Sequence, residues 1–148
     1  MRVYTLEREQ TLGAPRDVVF EFFSDAKNLE KITPPALKFR TVDVPDEIER
    51  GTLIRYRLSL YGVPFGWTTE ITGWSPPHSF VDAMKKGPYQ LWEHTHSFED
   101  LGDRTHMIDH VRYAVFGGAI VVPLFVRREL ERIFDYRTAR MIEFFGSG

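Results

Sequence analysis

Two histidines two residues apart, His94 and His96, sit in the densest polar-aromatic run of the chain, Gly87-Pro88-Tyr89-Gln90-Leu91-Trp92-Glu93-His94-Thr95-His96-Ser97-Phe98. Read as a strand, whose side chains alternate between faces, the run puts Trp92, His94, His96 and Phe98 on one side. The large apolar residues that bound this side make it the inner one, so both imidazoles project toward a concave interior. Imidazoles at i and i+2 could reach one zinc or iron ion. A metal needs further ligands, the chain has no cysteine, and only Asp109 is eligible on the neighbouring strand. Buried histidines that hydrogen-bond to their neighbours satisfy the same pattern without an ion. That reading is preferred, and neither a metal nor another cofactor is expected.

Asp109 lies in a run where Met107, Asp109, Val111, Tyr113 and Val115 share one face while Arg104, His106, His110 and Arg112 share the other. The apolar set belongs inside, which places a carboxylate on a buried face, where it must either bind a proton or find a cation. Arg137, on the apolar stripe of a C-terminal helix between Phe134 and Met141, is the natural partner; His94 or His96 is the second choice. The pair could fix how the helix sits on the sheet, or anchor the polar end of a ligand. A proton-shuttling role for His94 or His96 beside Asp109 would need a substrate within hydrogen-bond reach. Tyr56, Trp67, Phe80, Trp92 and Tyr113 are expected on inward faces beside these polar groups, with Phe134 facing them from the helix. Aromatics so placed serve either as plain core or as the wall of a cavity.

Several elements must position these residues. Val3 to Leu12 reads as a half-exposed strand ending at Gly13. Ala14-Pro15-Arg16-Asp17 starts a helix, because proline is tolerated in a first turn and aspartate favours its positive end. Val18, Val19, Phe22 and Phe23 are expected on its buried face, and a second short helix from Asp25 to Ile32 is stopped by Pro34-Pro35. From Leu37 onward the pattern has period two. Strands are expected at Phe39 to Val44, Thr52 to Leu60, Phe65 to Trp74, Ser79 to Met84, Gln90 to Phe98 and Arg104 to Phe116. Short turns join them, so the sheet should be antiparallel and sequential. Gly117-Gly118 breaks the last strand, and a long helix is expected from Val122 to Phe145, with Pro123 in its first turn. Its buried stripe should be Val126, Leu130, Ile133, Phe134, Arg137, Met141 and Phe144.

The 148 residues, 43% hydrophobic and 27% charged, describe one α+β globular domain, residues 1–148, with no repeat or linker. A net charge of -2 gives no field to gather phosphate backbones, so nucleic acid is not expected as a partner. The longest apolar stretch, Ala119 to Val126, is far short of the roughly 20 residues a membrane span requires. The charged N-terminal residues lack the core of a secretory signal, and a cytoplasmic location is expected. A homodimer is left open. Aromatics amount to 14% of the chain, a large supply of rigid apolar surface for a core or a pocket.

The order of elements, together with Phe80-Val81-Asp82, Gly87-Pro88-Tyr89, Trp92 to Phe98, Thr105 to Tyr113 and Ile133-Phe134-Asp135-Tyr136-Arg137, resembles the START/SRPBCC superfamily. Within it the chain is most similar to bacterial polyketide cyclase/dehydrase-like and uncharacterised ligand-binding members. The resemblance implies a helix-grip fold, in which a curved antiparallel seven-stranded sheet, two short helices and one long C-terminal helix enclose a cavity. It also implies a small hydrophobic ligand such as a lipid or polyketide, held by a carrier or sensor or turned over by a cyclase or dehydratase. The superfamily's oxygenase branch binds non-haem iron, but its two-histidine-plus-carboxylate arrangement is not found at the corresponding positions.

Overall fold

The sheet forms because its strands alternate. A computed structural model of the chain, describing residues 1–118 and 125–148, contains strands β1 (Tyr4–Leu12), β2 (Arg40–Asp43), β3 (Leu53–Leu60), β4 (Val63–Ser75), β5 (Ser79–Lys86), β6 (Leu91–Asp100) and β7 (Thr105–Ala114). In β3, Ile54, Tyr56 and Leu58 are buried while Arg55 and Arg57 are exposed, so one pleat face belongs to the core and the other to solvent. All neighbours pair antiparallel in the order β1-β7-β6-β5-β4-β3-β2. The register between β4 and β5 shifts at Thr68/Thr69 and again at Ile71/Gly73; such bulges bend a strand and increase its twist. Gly73 fits the second, since a Cβ there would lie 3.1 Å from Cγ2 of Val81. The curvature lets the sheet wrap the helix that covers it.

Helix α1 (Arg16–Ser24) follows Pro15 and carries Asp17 in its first turn. Its buried residues are Val19, Phe20 and Phe23, which corrects the expected face by one position: Phe20 points in, and Val18 is 48% exposed. Two short 3-10 helices follow, Ala26–Ile32 and Pro35–Leu37. The long helix α2 is described over Arg127–Phe145 and buries Leu130, Phe134, Arg137 and Met141. Phe144, expected on that stripe, is 41% exposed and instead lies against Phe22, with ring centroids 5.4 Å apart. The expected helix start at Val122, and Pro123 with it, lies outside the described residues. No described helix is long and apolar enough to cross a membrane.

The buried residues fall into two groups. One gathers Phe20, Phe23, Phe80, Phe98, Met107 and Met141 beneath α1 and the C-terminal part of α2. The other joins Val111 and Tyr113 of β7 to Leu130 and Phe134 of α2. Just past α2, Gly146 adopts φ 77°, a left-handed value that glycine takes without steric cost. The chain then turns back onto the sheet: Gly13 donates its N–H to the Gly146 carbonyl at 2.9 Å, Gly148 donates to Thr11 at 3.0 Å, and Leu12 bridges Ser147.

Candidate functional site: a cavity with a charged floor

Between β3–β6 and α2 lies a cavity of about 150 Å³. Seven of the ten residues singled out from sequence line it: Tyr56, Trp67, Trp92, His94, His96, Phe134 and Arg137. Trp67 crosses Trp92 edge-to-face at 5.5 Å, and Tyr89 packs against both. The Trp67 indole N–H donates to Oγ1 of Thr69 at 3.1 Å, so its polar edge is satisfied and its rings present an apolar wall. The other three residues are not in that wall. Phe80 stacks on His96 at 4.0 Å and lines a second, inner cavity of about 30 Å³. Tyr113 lies within the second core group, stacked on Tyr4 at 5.8 Å, and Asp109 sits behind the histidines.

The polar floor is a connected network. Arg137 donates from Nη2 to Oδ1 of Asp109 at 3.0 Å, and His94 Nε2–H donates to the same oxygen at 2.8 Å. His96 Nε2–H donates to Oδ2 of Asp82 at 2.6 Å, and its Nδ1 accepts from Arg137 Nη2 at 3.2 Å. The two imidazoles stack with centroids 3.6 Å apart. The guanidinium is also held over the rings of Phe23 and Phe134, a cation–π arrangement suited to a buried arginine.

Burial alone would raise the Asp109 carboxyl, but the Arg137 charge and the His94 hydrogen bond hold it below its ordinary range. Burial acts the same way on Asp82, where the hydrogen bond from His96 prevails and keeps the acid ionised. Burial pushes His96 down to about 4, with neighbouring His94 adding to the effect against the Asp82 bond. His96 is therefore a neutral ring that donates on one side and accepts on the other.

Asp82 was not among the sequence candidates. The signal existed: two residues after Phe80 on β5, it shares that inward face, and it stands opposite His94 in the strand register. Tyr89 was missed because it lies between strands, where no periodicity assigns a direction. The carboxylate grouped with the histidines is thus Asp82, not the expected Asp109: Asp82, His94 and His96 offer ligand atoms within 4.8 Å of one another. Both ring nitrogens of His96 are already engaged, so these three would hold an ion only by breaking the hydrogen bonds to Asp82 and Arg137.

Residues 12–139 match the family model described as polyketide cyclase / dehydrase and lipid transport. The chain belongs to this family. The match and the fold place it among ligand-binding domains of the START-like kind, as the sequence resemblance implied. Solved structures of the same fold include protein CV1439 from Chromobacterium violaceum, with TM-score 0.75 and 10% identity over 98% of this chain and 99% of that one. Protein Ms6760 from Mycobacterium smegmatis gives TM-score 0.69 and 20% identity over 97% and 98%. The Zhui aromatase/cyclase from Streptomyces sp. R1128 gives TM-score 0.66 and 18% identity over 96% and 90%. No curated protein matches this member of the family closely enough in sequence to count as a relative.

Proposed function

We propose that the protein binds a small, largely apolar molecule in the cavity between sheet and α2, as a carrier or sensor, with the polar end of the guest at the charged floor. The observation that carries this reading is the lining itself. Tyr56, Trp67, Trp92 and Phe134 form walls around a single polar patch of Asp82, His94, His96 and Arg137, the combination of apolar walls and a few convergent polar groups that orients small ligands. At roughly 10–15 Å³ of such volume per water, about 150 Å³ accommodates a guest of one or two rings, smaller than an extended lipid chain.

A second reading, a cyclase- or dehydratase-like enzyme, has one observation in its favour. The Nε2–H of His94 is fixed on Asp109, while its Nδ1 makes no hydrogen bond among the described residues. A carboxylate that fixes one ring nitrogen leaves the other as the proton acceptor of the neutral ring, and His94 lines the cavity.

Incubating the purified protein with a mixed extract of small aromatic and polyketide compounds, then reading the retained masses, tests both. A retained compound released unchanged supports the carrier, and a compound released altered supports the enzyme. Retention of nothing, with Trp67 and Trp92 fluorescence unperturbed, overturns both.

A further inference from the structure

The charges of the floor do not balance pairwise. Arg137 faces Asp109 at 3.0 Å, whereas the partner of Asp82 is His96, a ring that burial keeps neutral near pH 7. The His96 ring stands between the two charged groups, binding Asp82 through Nε2 and Arg137 through Nδ1. Asp82 therefore holds an ionised carboxylate without a cation in direct contact among the described residues. One oxygen, Oδ2, accepts a hydrogen bond from His96 Nε2–H, and Oδ1 has no hydrogen bond among those residues. The side chain retains 20% of its exposure and lines both the main and the inner cavity.

Tyr56 supplies an independent observation. Only 6% exposed, it lines the same two cavities, and its hydroxyl has no partner among the described residues. A hydroxyl that lines the cavity without such a partner is suited to a guest's polar group. Trp67, Trp92 and Tyr89 line the same cavity, and electron-rich rings attract organic cations.

Resting on the small-molecule reading above and naming its substrate class, we infer that the guest is a compact amine that binds protonated, its ammonium between Oδ1 of Asp82 and the Tyr56 hydroxyl and its apolar body against Trp67 and Trp92. An ammonium there completes the charge of the floor, making two cations for two carboxylates. An anionic guest would add a third negative charge beside Asp82, and the guanidinium it would have to reach shares its Nη2 between Asp109 and His96 and keeps a buried Nε without a partner among the described residues.

The test compares three probes of similar size, benzylamine, benzyl alcohol and phenylacetate, by calorimetry or tryptophan fluorescence on the intact protein. Benzylamine is expected to bind about tenfold or more tighter than the alcohol, the equivalent of one charge-assisted contact, and phenylacetate weakest. Asp82→Asn is expected to erase the preference, bringing the ratio of amine to alcohol affinity to about one. Tyr56→Phe, which keeps the ring and its packing, is expected to reduce the preference and serves if Asp82→Asn does not fold. Alcohol binding without a preference for the amine, or tighter binding of phenylacetate, overturns the amine assignment and leaves the cavity reading intact. Binding of none of the three overturns both.

Discussion

His94 and His96 stack ring on ring with centroids 3.6 Å apart and 21° between their planes, although they are successive inward residues of one strand. Two positive charges at that separation would repel by roughly 4–5 kcal/mol even at an effective dielectric constant near 20. Charging both rings is therefore disfavoured, and burial keeps His96, at 2% exposure, neutral near pH 7.

Stability is accordingly expected to fall on mild acidification. His96 takes its proton near pH 4 in the folded protein, against an ordinary value of 6.5. Between those values the unfolded chain binds the extra proton, so stability rises with pH and is lost as pH drops from about 6.5. His94, Asp82 and Arg137 all act on this ring beside its burial, and Asp109 Oδ1 faces its Nδ1 at 3.5 Å. Asp109 acts in the same sense lower down, its contribution present above 3.8 and lost as pH falls through its lowered folded value. Urea unfolding should show a loss of about 2 kcal/mol between about pH 6.5 and about pH 5. A flat profile there would mean that His96 is charged in the folded state.

Asp109→Ala should cost about 3 kcal/mol, because it leaves the buried Arg137 guanidinium without its counter-charge. The double change with Arg137→Met should recover part of that loss, since an uncharged side chain of similar length needs no partner. Chemical denaturation of the two variants checks this. A single variant indistinguishable from the parent would remove the pair from the account of how α2 is seated.

Phe80 and Trp92 should separate packing from binding. Phe80 is 6% exposed and touches Phe20, Phe23 and Phe98, so Phe80→Ala should destabilise by about 3–5 kcal/mol. Trp92 borders open space, and Trp92→Ala should cost less stability while weakening retention of an aromatic probe by about tenfold. Equal effects of both substitutions on both measurements would deny Trp92 its place in the wall.

Gly13→Ala tests the closure behind α2. A Cβ there would sit 3.0 Å from the Phe145 carbonyl oxygen and 3.1 Å from that of Ser147, both backbone atoms with little room to yield. A loss of about 1–3 kcal/mol is expected, read as a lowered thermal midpoint. An unchanged midpoint would show that this contact is looser than its geometry indicates.

Much of this was legible in the sequence because alternation and helical spacing report burial directly. The inward face of β7 placed Asp109 in the interior, and the requirement that a buried carboxylate find a cation pointed to Arg137. Neither inference needed a neighbour's coordinates. What failed was local or three-dimensional. The face of α1 was set one residue off because Val18 and Phe20 are both apolar and a short helix gives few turns to average. Phe144 fits the helical stripe by spacing, but at that end α2 meets Phe22 instead of the sheet. Asp82 stands in the Phe80-Val81-Asp82 run that the resemblance rests on and shares the inward face of Phe80, but a lone acid on a strand implies no role until β5 lies beside β6. The size of the cavity is a residual of packing that no pattern of residue types encodes.

Among the described residues, the two ends of α2 are held by different contacts. Beyond its C-terminal end the backbone is stitched to β1 and the following loop by hydrogen bonds that Gly13 and Gly148 donate, while near its other end the Tyr61 hydroxyl reaches the Phe125 carbonyl across 3.4 Å at an exposed position. A change in the backbone of β1 near Gly13 is therefore felt directly at the C-terminal end of α2.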